Sequence, residues 1–301
     1  MGTPSRGVAA QLAIDPTGTA IGSYAKRFAF VSITPGGGVE LIDTADEEIR
    51  GTRSRSKERV VQGQINTTLS IVMIPTPAEL DLLLPFILGT NESADSFVLA
   101  ETLQERDILI DYGVHRQIYQ GAKVAKATFS ASVGQAMRLA LEIICKTQDT
   151  PVATAFPSIS IDTEAPYAYH QGVLTARSAA REYNEVSVEI DNVLEPEFNN
   201  SQTPTQLIEN DRIVTVTANT PFSSDEDDLY TAPLAAVAGA SGTLVFTNGG
   251  QSTTFTFGNL KELDASPPAI SGKGEIRQPV TWRAYRSGAT LELVITHDAL
   301  V

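Results

Sequence analysis

The chain has 301 residues, of which 42% are hydrophobic and 19% charged, enough apolar material for a packed core and too little charge for a generally disordered chain. Its formal net charge of -14, from 22 basic and 36 acidic side chains, excludes a protein that grips nucleic acid through clustered Lys and Arg. The single cysteine, Cys145, excludes an internal disulfide and a multi-cysteine metal site.

Residues 1–24 are rich in Gly, Thr, Ser and Ala, lack clear periodicity, and read as an arm that orders only against something else. The segment MGTPSRGVAA has no apolar core for secretion, and no run approaches a membrane span, so synthesis in a cytoplasm is expected. Strands are predicted over 27–34 and 38–43, hinged at Pro35-Gly36-Gly37-Gly38. A basic loop follows over 44–59, in which Arg50, Arg53, Arg55, Lys57 and Arg59 outweigh Glu58. From Ile65, apolar residues at Leu69, Ile71 and Met73 alternate with Asn66, Thr68 and Ser70, a period of two that marks a half-buried strand.

A helix comes next. Thr76 is placed to cap it, Pro77 suits its first position, Glu79 completes a capping box, and Gly89 ends an apolar stripe of Leu80, Leu83, Leu84, Ile87 and Leu88. Pro85 lies beyond the first turn and is expected to kink or shorten the last one. Short strands at 97–99 and 108–112 lead to a hairpin, 123–133 and 138–145, that turns at Gly134-Gln135. Cys145 is in phase with Leu139, Leu141 and Ile143, and so reads as a buried strand residue rather than a nucleophile. A Pro- and Thr-rich joint at 147–157 divides a first unit, 25–150, from a second, 151–301.

The second unit repeats the first in outline: a strand at Val186, Val188 and Ile190, a long loop over 191–211, and a strand over 212–218. A second capping box follows, Ser223 with Glu226, before Leu229, Tyr230 and Leu234, and a closing hairpin turns at Ser287-Gly288 between 281–285 and 291–295. The two long loops are oppositely charged. Residues 50–59 carry five bases and one acid, whereas 191–211 carry Asp191, Glu195, Glu197, Glu209 and Asp211 with no base.

Catalytic and metal signatures are missing. His115, His170 and His297 are far apart, and no GxSxG, phosphate loop or dinucleotide fingerprint occurs. The cluster at Asp225, Glu226, Asp227 and Asp228 reads as helix N-terminal decoration, and Trp282 as core packing. No catalytic residue, cofactor or metal is assigned.

The phrases GTRSRSKERV, PTPAELDLLLPFILG and FNNSQTP, in that order, resemble the tail tube proteins of long-tailed, siphovirus-like bacteriophages, over most of the chain. The resemblance implies a mainly β fold of two related β-sandwich or half-barrel units, each with a short flanking helix, that share a β-barrel ring on oligomerisation. It further implies a non-enzymatic virion protein of the tail. Its subunits stack as rings into a conduit for double-stranded DNA, which passes without specific binding, and for the tape measure protein, with tail terminator and tip proteins as further partners. With two units per chain, the expected ring has three chains and pseudo-sixfold symmetry, six chains being the alternative. The bore is expected to be acidic. Contacts between subunits or rings are expected at Arg50, Arg53, Arg55, Lys57 and Arg59, and at Glu195, Glu197, Phe198, Asn199, Asn200 and Glu209, in loops that order only against a neighbour. The alternative function is a virion-surface or secreted β-sandwich module that recognises carbohydrate or a receptor.

Overall fold

A computed structural model of the chain describes residues 7–43, 60–149, 155–234, 239–263, 268, 270 and 273–298. Strand makes up 56% and helix 9% of it, so the mainly β fold that the resemblance implied is the fold observed. The strands join one large antiparallel network, apart from a two-stranded ribbon.

In the first half, β1 (Gln11–Pro16), β2 (Arg27–Phe28) and β3 (Ser32–Asp43) precede β4 (Val60–Met73) and helix α1 (Pro77–Leu88). Then come β5 (Ser96–Val98), β6 (Arg106–Asp111), β7 (Arg116–Ser132), β8 (Arg138–Cys145) and β9 (Thr147–Gln148). β1 lies within the stretch read as an arm; it pairs with β2 and β6 and buries Leu12, Ala13 and Ile14. The expected hinge at Pro35–Gly38 is absent, for β3 runs straight through it and stays paired with β4. Glycine permits this: Gly37 has φ 75°, and a Cβ there would stand 2.1 Å from the Asn66 carbonyl oxygen.

Helix α1 forms as its caps dictate. Thr76 Oγ1 accepts from the Glu79 N–H, the Glu79 carboxylate accepts from the Thr76 N–H, and Gly89 closes the helix with φ 84°. Pro85 does not shorten it, since the helix continues to Leu88. Burial explains the tolerance: Leu83, Leu84, Phe86 and Ile87 are all fully buried, each worth about 1.5–3 kcal/mol, against about 3 kcal/mol lost to an interior proline.

The second half holds β10 (Gly172–Ala176), β11 (Ala179–Arg181), β12 (Glu185–Asp191), β13 (Leu194–Glu197), β14 (Gln206–Glu209) and β15 (Ile213–Pro221). Helix α2 (Asp227–Leu234), β16 (Ala240–Asn248), β17 (Gln251–Glu262), β18 (Arg277–Tyr285) and β19 (Leu293–Asp298) follow. Two expectations fail here. The turn at Ser287-Gly288 forms, with Ser287 and Thr290 exchanging backbone hydrogen bonds, but the strands beside it pair at longer range, β18 with β15 and the end of β17, and β19 with the start of β17 and β5. The second capping box is replaced as well. The Glu226 carboxylate accepts from Arg181 at 2.9 Å, because a guanidinium 1% exposed requires a partner.

The pairing pattern occurs twice. In the first half β2 pairs with β1, β1 with β6, β6 with β7 and β7 with β9, while β7 also pairs with β8, β8 with β4 and β4 with β3. In the second half β11 pairs with β10, β10 with β16, β16 with β17 and β17 with β19, while β17 also pairs with β18, β18 with β15 and β15 with β12. Both long strands exchange partners along their length. β7 changes partners near Gly121, which has φ 58°, and β17 between Phe257 and Asn259.

The halves meet where β7 pairs with β12, from Lys126 opposite Asp191 to Ser132 opposite Glu185. One buried cluster runs through both. Phe129 meets Phe255 edge-on at 5.1 Å between ring centroids, α1 packs on β7 and β17, and Trp282 is fully buried with its indole N–H donated to Glu262. Cys145 is buried, which pushes its thiol up to about 12, with Asp107 adding to the effect. His297 sits in β19, fully enclosed by Thr253 and the Pro77 carbonyl.

Candidate inter-subunit surface

The far half of the β3–β4 ribbon leaves the body of the molecule and stays bare. Val39, Leu41 and Ile42 of β3 and Val60 and Val61 of β4 are between 40% and 67% exposed. A cluster of aliphatic side chains on a protruding ribbon marks an interaction surface. The basic loop that joins these strands, with Arg50, Arg53, Arg55, Lys57 and Arg59, lies outside the described residues.

The acidic loop is an arm rather than an unstructured segment. β13 and β14 pair from Leu194 opposite Glu209 to Glu197 opposite Gln206. The base of the arm is fastened to the first half, where Lys123 Nζ meets Glu209 Oε1 at 2.6 Å and donates to the Leu207 carbonyl, and the Leu103 N–H donates to Glu209. Burial alone would raise the Glu209 carboxyl, but the Lys123 ammonium and the Leu103 N–H outweigh it and hold the group below its ordinary value. Glu209 is therefore a tie within the chain. Glu195 accepts from Asn210, Glu197 uses its carbonyl to bind Thr205, and the tip exposes Asn199 and Asn200 beside the half-buried Phe198.

The two arms lie side by side. Ile65 N donates to the Gln202 carbonyl at 2.6 Å, and the Gln202 amide reaches the Gln62 carbonyl.

Two further features escaped the sequence reading. Among the described residues β3 pairs only with β4, whereas β12, which holds the same place in the second half, is covered by β7. Beside that open edge lies a cleft of roughly 500 Å³ lined by Phe28, Phe30, Val31, Ile33, Ile110 and Tyr112. The alternation of Phe28 with Phe30 was its only sequence signal, and it points equally to a core strand.

An open sheet edge, an apolar cleft next to it and bare aliphatic arms define a protein built to assemble. A family model described as phage tail tube protein matches residues 7–284, and the chain belongs to that family. It is accordingly a structural protein of the virion tail, and membership implies self-assembly into a tube and association with other tail proteins. No curated protein matches the chain. Among the described residues no helix is long and apolar enough to cross a membrane.

Proposed function

We propose that the chain is the major tail tube subunit, that three copies close each ring, and that stacked rings form the conduit for DNA and the tape measure protein. The repeated pairing pattern carries this reading. Each half presents one four-stranded set, β3-β4-β8-β7 and β12-β15-β18-β17, and the sets join through β7 and β12. Three such chains supply six sets, and a closed ring leaves no open edge. The halves are then an internal duplication.

The face of these sheets turned away from the core would line the bore. It is rich in small hydroxyls, among them Thr128, Ser130, Ser187, Thr215 and Thr217, all half-buried. Its charges are mixed, with Lys126, Arg138 and Arg283 near Glu142, Glu185 and Glu189, and Lys126 is paired to Glu189 at 3.0 Å. This replaces the acidic bore expected from composition with a hydroxyl-lined, charge-balanced one, which offers DNA phosphates no strong attraction.

Electron microscopy and mass measurement of the purified protein test the proposal. Rings or tubes with three chains per ring are expected. Six chains per ring would overturn the trimer, and a protein that stays monomeric at high concentration would overturn the tube and favour a surface binding module.

A further inference from the structure

We infer that the joint between chains copies the β7–β12 junction, with Ile270 of one chain seated over Val31 of the next. The inference rests on the tube reading, since the occupant is a second copy of this chain.

Inside the chain, the β7–β8 hairpin does more than extend the sheet. Its tip lies over the second half: Val133 N donates to the Asn184 carbonyl at 3.1 Å, Met137 N to the Tyr167 carbonyl at 2.8 Å, and the Gln135 carbonyl accepts from Tyr169 N at 3.0 Å. Tyr183 and Asn184 lie beneath that tip. In the first half Phe30 and Val31 take their places, and Val31 N bonds the Val72 carbonyl at 2.7 Å as Asn184 N bonds the Asn219 carbonyl at 3.1 Å. Among the described residues no hairpin covers them. Their surroundings form the apolar cleft of roughly 500 Å³, and Val31 is 51% exposed at its rim.

The matching donor is on the same molecule, at its other end. β17 is the counterpart of β7, and Leu263 N bonds the Thr281 carbonyl in the position where Lys126 faces Glu142. As far beyond Leu263 as Val133 is beyond Lys126 stands Ile270, which is 76% exposed. An isoleucine this bare on one end and an apolar, largely aromatic cleft on the other complement each other in a head-to-tail contact that closes a ring.

The hydrogen-bond ladder at this joint is poorer than the one inside the chain. Pro35 stands where β12 has Val188, and Pro268 where β7 has Ala131, and proline has no N–H to contribute. Apolar burial in the cleft therefore carries more of the contact than backbone pairing does. Such an edge also resists premature strand addition in the free chain.

A double variant, Val31→Cys with Ile270→Cys, tests the contact. Cys145 is buried and does not compete. Mild oxidation of assembled protein should yield disulfide-linked multimers on a non-reducing gel from the double variant and none from either single variant. Val31→Glu should stay folded, with an unchanged melting profile, and lose most of its assembly. If the wild type forms tubes while the double variant fails to cross-link, or Val31→Glu assembles as well as the wild type, the contact is elsewhere. A wild type that forms no tubes would sink the tube reading itself, and this inference with it.

Discussion

Arg181 shows how much one buried charge decides. Its guanidinium donates to the Ala176 and Asp225 carbonyls and to the Glu226 and Asp228 carboxylates, and its side chain is 1% exposed. Replacing it with Met leaves Glu226 buried without its cation, so urea denaturation should show a loss of about 3–5 kcal/mol. Asp228, 45% exposed on its side chain, should cost less than about 1 kcal/mol when changed to Asn. Equal losses from the two changes would refute this division. Glu209 sets a pH dependence. Its carboxyl is depressed in the folded chain, so its contribution is present above the unfolded value and disappears as pH falls through the folded one. The stability gap between wild type and Glu209→Gln should therefore shrink between about pH 6 and pH 3, a trend that thermal melts across that range measure directly.

At the scale of elements, α1 was legible almost in full, because a capping box, an N1 proline and a terminal glycine act within a few residues of one another. Thr76→Ala should cost about 1 kcal/mol and shift the denaturation midpoint accordingly, without altering assembly. The strands with clean alternation were equally legible. The β3 ribbon was not, since a Pro-Gly-Gly-Gly run has the composition of a hinge, and only the close approach of β4 makes it a strand. Gly37→Val places a side chain against the Asn66 carbonyl with φ at 75°, and should weaken the ribbon and the soluble yield. The charged arms carry an assembly prediction. Arg50, Arg53 and Arg55 changed together to Glu should give a folded, soluble chain that polymerises poorly at low salt, and reversing the charges of the acidic arm should restore tubes in part. Normal polymerisation by the triple variant would exclude the arms from the joint.

For the whole molecule, the β7–β12 ladder and a core shared by both halves predict one cooperative unfolding event rather than two. Calorimetry should find a single transition, and two resolved transitions would mean that the halves are independent. The sequence by itself determined the strand-rich character of the chain, helix α1, the β7–β8 hairpin and the burial of Cys145 and Trp282, because each follows from periodicity or capping within a short window. Only the tertiary structure decided that β18 and β19 both pair with β17, that Glu226 serves Arg181 instead of a helix cap, that β1 belongs to the first half as β10 belongs to the second, and that among the described residues one edge of one half is left open. Those outcomes depend on contacts between residues far apart in the chain, where strands with similar local patterns compete for the same partners and the burial of the whole core selects among them.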